Sequence, residues 1–234
     1  MHASALTVQV ETSPEYVRAI LPSCFDTIGN NVLSLTIAKY RSLYDGDFDL
    51  FSLSASSLHQ GVEGVYMPIL YISRDVAVFG GREIWGERKR FGRVELNYHG
   101  SDMYGCVVKD GIRLVEISAS LGENEGPRRS SRSCFWLKAF PSATGYGFDK
   151  PPIVVERTGY SEVCVYKEGT ALLKLRGTEL DPLDEIPVIH VAGSIYTEGY
   201  AGALEPYQAH VIEKSEEIYA AWSGWSFETF SRTR

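Results

Sequence analysis

Short β-strand patterns follow one another through most of this 234-residue chain, and they restrict its fold more than any other feature. Residues 32–38 alternate Val, Ser and Thr with Leu and Ile, as a half-buried strand does. Residues 94–98, 103–109 and 112–121 predict a meander of three strands, and the Asp-Gly pair at 110–111 is a strong hairpin signal between the last two. A chain with this pattern buries its apolar side chains on one face of a sheet.

Further strands and two helices complete the secondary-structure prediction. A short helix is expected over residues 14–19, capped by Ser13, and residues 204–219 predict a longer amphipathic helix with an apolar stripe. Additional strands are expected over residues 64–72, 76–79, 134–140, 153–155, 162–166, 171–176 and 186–196, with polar loops over 127–133 and 141–152.

No internal repeat and no obvious linker divides the sequence. We therefore expect a single domain over residues 1–234. Its fold class is mainly β with a few helices, a β-rich α+β fold built on a strongly curved antiparallel sheet.

The composition argues against several classes of protein. Lys and Arg number 23 against 30 Asp and Glu, and a net charge of −7 makes a nucleic-acid partner unexpected. No stretch approaches the ~20 apolar residues that span a bilayer, and the N-terminus lacks the pattern of a secretion signal. The five histidines show no metal-binding spacing, so no metal is expected. No Cys-x-x-Cys pair occurs among Cys24, Cys106, Cys134 and Cys164, which argues against a structural zinc site. Because no secretion signal is visible, we expect reduced thiols in a cytoplasmic protein.

The segment 80–90, Gly-Gly-Arg-Glu-Ile-Trp-Gly-Glu-Arg-Lys-Arg, carries the clearest chemistry in the chain. It sets Lys89 beside Arg90, shortly after an apolar stretch. Burial and a fixed positive neighbour both penalise the ammonium form of a lysine, and a neutral amine in an apolar pocket attacks ketones to form a Schiff base. The alternative interpretation is a solvated or phosphate-binding basic face, since residues 88–93 contain four basic side chains.

Three stretches of this sequence resemble the acetoacetate decarboxylase family, the standard example of a lysine activated in this way. That family carries a Gly-Arg-Glu followed, after a short spacer, by a Lys-Lys pair. Here Gly-Arg-Glu at 81–83 precedes Lys89 and Arg90 at a matching distance, although Arg88 stands where the family usually has Pro. The strand at 64–72 and the Asp-Pro-Leu-Asp-Glu-Ile-Pro-Val segment at 181–188 resemble other stretches of the family, in the same order.

This resemblance implies a fold, a catalytic residue and an assembly. The fold would be a cone-like β barrel or sandwich, and subunits of this kind would form a homo-oligomer. Lys89 would be the imine-forming residue, with Arg90, Arg82 and Glu83 as supporting or tuning residues. The alternative for Arg82 and Glu83 is a structural ion pair that holds the lysine segment. The lysine Schiff base would need no metal and no organic cofactor.

The polar companions of the family's lysine do not transfer cleanly. The chain begins too late for a clear counterpart of the family's N-terminal arginine, and ungapped alignment puts Thr36 and Leu50 at two positions that are acidic in the family. His59 and Gln60 precede the 64–72 strand and could line the mouth of a pocket. We therefore assign Thr36, Leu50, His59 and Gln60 to a tentative substrate pocket.

The sequence leaves three functions open. The first is a Schiff-base carboxy-lyase that decarboxylates a β-keto acid larger or less polar than acetoacetate, through an imine on Lys89. The second is an aldolase–dehydratase or related enamine chemistry on the same lysine. The third is a non-catalytic barrel that binds a small molecule, which a charged and exposed Lys89 would favour.

Overall fold

The computed structural model describes residues 1–43, 46–144, 146–212 and 218, and these are mainly β. Two α-helices occur there, α1 (Pro14–Ile20) and α2 (Asp75–Gly80), together with a π-helical turn (Gly81–Trp85) and a 3₁₀ turn (Leu183–Glu185). The strands are β1 (His2–Glu11), β2 (Val32–Arg41), β3 (Phe48–His59), β4 (Val62–Ile72), β5 (Lys89–Phe91), β6 (Arg93–His99), β7 (Asp102–Lys109), β8 (Ile112–Leu121), β9 (Arg128–Lys138), β10 (Ile153–Leu175) and β11 (His190–Val211).

The described strands form one sheet, which confirms the β-rich α+β fold predicted from the sequence. Strand β11 pairs with both β1 and β10, so the ladders run in a closed circuit through β1, β2, β3, β4, β9, β10 and β11. From β10 the sheet continues through β8 and β7 to β6. The sheet is not purely antiparallel as predicted, because β4 pairs in parallel with β5 and with β9. Helix α2 and the π-helical turn supply the crossover that parallel β4 and β5 require.

The two faces of the strands around the circuit differ in side-chain size. One face carries the large apolar residues of the main core, including Leu6, Ile37, Phe51 and Tyr71. Strands β6 to β8 contribute to the same core, and α1 packs its buried side chains there. The other face carries smaller and more polar side chains along β1, β2 and β3. This division follows from the period of two along a strand.

The locally encoded elements are confirmed. Helix α1 begins after Ser13, whose hydroxyl accepts a hydrogen bond from the Tyr16 N–H at 3.1 Å. The β7–β8 hairpin turns at Asp110 and Gly111, which have φ values of 51° and 79°, as the Asp-Gly signal requires.

Six predicted elements are wrong in kind or extent. Residues 76–79 are helical in α2, because a short apolar run fits either period. Residues 128–133, predicted as loop, begin β9, where ladder bonds and cross-strand polar pairs replace apolar burial. Three predicted strands between 153 and 176 are one strand, β10, whose register shifts twice. The predicted strand at 186–196 instead starts at His190.

The helix predicted over residues 204–219 is wrong over residues 204–211, which are strand. Strand β11 continues to Val211 and pairs there with Ile153 of β10. Beyond Val211, Ile212 has no regular structure and Ile218 is helical, and the other residues of the predicted helix lie outside the described residues. Tertiary pairing with β10 therefore overrides the helical spacing of the apolar residues.

Candidate active site

Lys89 begins β5 and lies on the face of the sheet that carries small side chains. In the register of the sheet Lys89 pairs with Leu70, Leu70 with Ser52, and Ser52 with Thr36. Residues paired in this way point to the same face. The row ends at Thr7, whose Oγ1 lies 2.8 Å from Thr36 Oγ1. The side chain of Lys89 is 12% exposed, so the amine is largely removed from solvent.

A buried carboxylate accompanies the amine. The Oε2 atom of Glu87 lies 2.6 Å from Lys89 Nζ, and the Glu87 side chain is only 8% exposed. A lysine attacks a carbonyl only as the free amine, and a carboxylate at this distance is placed to accept the proton that the amine gives up. Sequence reasoning missed Glu87, because Glu87 precedes β5 in a turn where the Lys89 N–H donates to the Glu87 carbonyl at 2.7 Å.

Glycine at position 81 leaves the room that this ion pair occupies. A Cβ atom at residue 81 would lie 2.6 Å from Lys89 Cδ and 2.7 Å from Lys89 Nζ, and it would overlap the Glu87 carboxylate. The backbone closes the same segment, because the Glu87 N–H donates to the Gly81 carbonyl at 3.1 Å. Gly86 ends the π-helical turn with a φ of 73°, a left-handed conformation that glycine adopts without strain.

This packing predicts a variant that separates activity from stability. In Gly81→Ala the new methyl group meets the ends of two flexible side chains, so we expect the free energy of unfolding to change by less than ~1 kcal/mol. The displaced amine should lower kcat by about 100-fold, because small misplacements of reacting groups are costly.

The matched control for that variant is Gly80→Ala, where a Cβ atom would meet nothing within 4 Å. We expect wild-type turnover from Gly80→Ala. Denaturant unfolding and steady-state kinetics of both variants provide the comparison. Equal kcat values for the two variants would show that Gly81 does not set the position of the amine.

Arg157 of β10 reaches the other oxygen of the same carboxylate. Its Nη1 lies 3.5 Å from Glu87 Oε1, and its side chain is 18% exposed. Three aromatic rings surround the guanidinium, with centroids 4.5 Å (Trp85), 4.8 Å (Tyr207) and 5.5 Å (Trp136) from Cζ. Sequence reasoning missed Arg157, and no local pattern near it indicates a site.

Arg90 lies on the opposite face of β5 from Lys89. It pairs in register with Tyr71 of the main core, and its guanidinium binds the carboxylate of Asp181 and the Leu180 carbonyl, the latter at 2.9 Å. Asp181 also accepts hydrogen bonds from Tyr71 Oη at 2.6 Å and from Lys109 Nζ at 2.7 Å. This placement favours a role for Arg90 in anchoring β5 over a direct effect of its charge on Lys89.

Arg90, Asp181, Lys109 and Tyr71 form a cluster that anchors β5, and the pKa values of Asp181 and Tyr71 are shifted within it. Burial alone would raise the pKa of Asp181, but hydrogen bonds from Lys109 and Tyr71 and the charge of Arg90 outweigh it and hold that pKa below its usual value. Burial raises the pKa of Tyr71 strongly, so its hydroxyl stays protonated and donates to Asp181. Asp181 opens the 181–188 segment that the sequence analysis singled out.

The other residues assigned from the sequence are dispersed. Arg82 Nη1 donates to the Lys89 carbonyl at 3.5 Å, whereas the Glu83 side chain is exposed on the π-helical turn. Leu50 lies on the same face as Ser52 but packs against the cluster beneath α2.

His59 and Gln60 are not brought to Lys89. The His59 ring is buried against Phe25 of the main core at a centroid distance of 5.4 Å, and its Nδ1 lies 2.9 Å from the Cys24 carbonyl oxygen. Gln60 is exposed in the β3–β4 turn. His59 and Gln60 therefore lie away from the face of the sheet that carries Lys89.

The basic cluster does not form one solvated face. Arg88 and Lys89 are half-buried and Arg90 is buried, while Arg93 is exposed. Burial raises the pKa of the core tyrosine Tyr66, and the nearby charge of Arg88 partly offsets that rise. The basic side chains of residues 88–93 therefore point to different faces of the sheet and differ in exposure, which counts against a single phosphate-binding surface.

Searches for other kinds of site gave negative results over the part of the chain that the structure describes. It holds no cluster of three or more His, Cys, Asp or Glu side chains arranged to bind a metal ion. No described helix is both long enough and apolar enough to cross a membrane. Cys24, Cys106, Cys134 and Cys164 are free thiols.

Comparisons with known proteins agree with this geometry. Residues 1–206 match the family described as acetoacetate decarboxylase (ADC). An acetoacetate decarboxylase of Bordetella avium (strain 197N) is 26% identical over 196 residues, covering 80% of this chain and 78% of the relative. Among solved structures, acetoacetate decarboxylase from Legionella pneumophila superposes with a TM-score of 0.79 at 18% identity, covering 91% of this chain and 85% of that one. The enduracididine biosynthesis enzyme MppR in complex with pyruvate superposes with a TM-score of 0.74 at 16% identity, covering 89% of this chain and 88% of that one. The match over residues 1–206 spans most of the chain, which therefore belongs to the acetoacetate decarboxylase family.

Proposed function

We propose that this protein is a Schiff-base lyase that removes CO₂ from a β-keto acid larger or less polar than acetoacetate, through an imine on Lys89. Enzymes of the family use a lysine Schiff base without a metal or an external cofactor. The observation that carries the proposal is the largely buried amine of Lys89, with the Glu87 carboxylate 2.6 Å away. The proposal gives this pair the roles of nucleophile and general base.

Glu87 is placed to move the protons that imine formation requires. It takes one proton from the Lys89 ammonium, and the neutral amine then forms a C–N bond to the substrate ketone. The resulting carbinolamine loses its oxygen as water when protonated Glu87 returns the proton. The product is a protonated imine on Lys89 and an ionised Glu87, so the number of protons balances.

The protonated imine then accepts the electrons that decarboxylation releases. The bond to the carboxylate breaks, its electron pair enters the C=N⁺ group, and an enamine remains. Protonation of the enamine carbon and hydrolysis of the new imine release the ketone and restore Lys89. A water-poor setting strengthens the electrostatic interactions on which these steps depend.

Thr36 and Leu50 support a substrate other than acetoacetate. Thr36 hydrogen-bonds Thr7 in the row that leads to Lys89, and Leu50 adds apolar surface on the same face. Both stand where the family has acidic residues, according to the ungapped alignment. Uncharged side chains at these positions suit an alkyl or aromatic substituent better than a second charged group.

This reasoning predicts a substrate preference. We expect kcat/KM for a β-keto acid with a longer alkyl or aromatic substituent to exceed that for acetoacetate by at least ~10-fold, since each added buried methylene contributes about 0.8 kcal/mol. CO₂ release from a series of 3-oxo acids of increasing length measures the preference. Efficient turnover of acetoacetate with no gain along the series would contradict the proposed pocket.

The second candidate is an aldolase–dehydratase on the same lysine. A structure of the fold relative MppR is described as a complex with the condensation product of pyruvate and imidazole 4-carboxaldehyde. Glu87 could serve that chemistry as well, by returning a proton after the enamine attacks an aldehyde. Imine formation without CO₂ release from any 3-oxo acid would favour this alternative. The burial of Lys89 disfavours the third candidate, a non-catalytic barrel that binds a small molecule. The cytoplasmic location and the homo-oligomeric assembly remain predictions.

A further inference from the structure

Arg157 is a half-buried cation, 18% exposed, and its contacts with the described residues leave part of its hydrogen-bonding capacity unused. A guanidinium carries five N–H donors. Among the residues that the structure describes, its hydrogen-bond partner is Glu87, at the long distance of 3.5 Å. Its Nε atom is buried and has no hydrogen-bond partner there. Burying such donors without partners is costly, so their retention points to a ligand.

The three rings around Arg157 compensate its charge but leave its donors unused. Trp85, Trp136 and Tyr207 offer π faces to the guanidinium, and Trp85 and Tyr207 also contact each other at a centroid distance of 4.4 Å. Cation–π attraction acts perpendicular to the ring plane and holds the cation in place. The N–H groups lie in the plane of the guanidinium and still require an acceptor.

Trp136 provides a second unused donor at the same place. Its side chain is buried, and its indole Nε1 has no hydrogen-bond partner among the described residues. Buried tryptophans usually find a partner for this N–H. Two neighbouring groups with unsatisfied donors and one positive charge suit an anion with several acceptor oxygens.

We infer that Arg157 and Trp136 form the site that binds the carboxylate of the keto-acid substrate. The inference rests on the proposed function for the identity of the ligand. Glu87 links this site to the amine, because one of its oxygens lies 3.5 Å from Arg157 and the other lies 2.6 Å from Lys89. A carboxylate held by Arg157 therefore places the neighbouring ketone of a short keto acid near Lys89 Nζ.

The same arrangement couples substrate binding to activation of the lysine. In the absence of substrate, Glu87 is shared between two cations. A substrate carboxylate satisfies Arg157 and frees Oε1 of Glu87 from that cation, which leaves the Glu87 carboxylate to interact with Lys89 through Oε2. Arg157 thus gives this site a carboxylate-binding arginine from β10.

The first test measures binding without any reaction. Hexanoate cannot form an imine, and hexanamide has the same length without the charge. Calorimetry with wild type, Arg157→Gln and Arg157→Lys should show hexanoate affinity falling by about 10- to 100-fold in Arg157→Gln, with hexanamide affinity nearly unchanged. Arg157→Lys should lose less, because it keeps the charge but not the planar fork.

The control is Arg129→Gln, which removes an exposed arginine paired with Glu162 and should leave hexanoate binding unaltered. Equal hexanoate affinity in wild type and both Arg157 variants would overturn the inference, as would an equal loss for hexanoate and hexanamide. Borohydride trapping of a 3-oxo acid on wild type separates the two proposals. If hexanoate binding depends on Arg157 but no adduct forms, the carboxylate site stands and the Schiff-base function fails.

Discussion

Lys89→Ala is expected to abolish decarboxylation of every 3-oxo acid that the wild type accepts. Loss of a covalent nucleophile removes the entire imine pathway, so kcat should fall by about 10⁴-fold or more. Lys89→Arg is the informative companion, because arginine keeps the positive charge beside Glu87 but stays protonated and forms no imine. CO₂ release and denaturant unfolding, measured on both variants, separate chemistry from stability.

The two substitutions should agree in activity and differ in stability. Lys89→Ala leaves the buried Glu87 carboxylate without its 2.6 Å partner and should destabilise the fold, whereas Lys89→Arg retains a cation there. Residual activity above 1% in Lys89→Arg, which is about 100-fold below wild type, would show that covalent catalysis by this residue is not required.

Asp181→Asn is expected to cost ~3–5 kcal/mol of folding free energy, the largest stability effect that the structure predicts for one substitution. The Asp181 carboxylate is 2% exposed and contacts Arg90, Lys109 and Tyr71. Its removal leaves two buried cations without their shared anion. Because Arg90 follows Lys89 in β5, the loss should also loosen the strand that positions the amine.

The same anchor predicts how stability depends on pH. The pKa of Asp181 is lower in the folded protein than in the unfolded chain, so its contribution is complete above the unfolded value of ~3.9 and is lost as pH falls through the folded value. The difference in unfolding free energy between wild type and Asp181→Asn should therefore be constant near neutrality and shrink below about pH 4.

Asp110→Asn provides the matched control for this anchor. Asp110 contacts the same Lys109 amine at 3.0 Å, but its side chain is 80% exposed, so its loss should cost no more than ~1 kcal/mol. Urea unfolding at several pH values tests both variants. Similar costs for Asp110→Asn and Asp181→Asn would show that the buried pairs contribute little beyond a surface ion pair.

Local chemistry explains which elements were predictable from the sequence. The Ser13 cap and the Asp110-Gly111 turn act through neighbouring residues, and α1 and the β7–β8 hairpin occur where these signals place them. The polar start of β9 and the length of β10 depend on pairing with distant strands. Their ladders, including the serine pair at 130 and 161, were invisible to periodicity.

The candidate site divides in the same way. Lys89 follows from a motif, whereas the position of Glu87 depends on the turn before β5, in which the Glu87 N–H donates to the Gly81 carbonyl at 3.1 Å. Arg157 and Asp181 are not accessible to sequence reasoning, because they meet Glu87 and Arg90 across 70 and 91 residues of sequence. Two adjacent cations in a sequence suggest that the charge of one acts on the other. Lys89 and Arg90 instead point to opposite sides of the sheet, because they are neighbours in a strand.

Borohydride trapping tests the central claim most directly. The protein is incubated with a 3-oxo acid, reduced, digested and analysed by mass spectrometry. We predict a single stable adduct on the peptide that contains Lys89, with the mass of the decarboxylated ketone or of the intact acid, and its absence in Lys89→Arg. An adduct on another lysine, or none on the folded protein across a panel of 3-oxo acids, would contradict the assignment of Lys89 as the imine-forming residue.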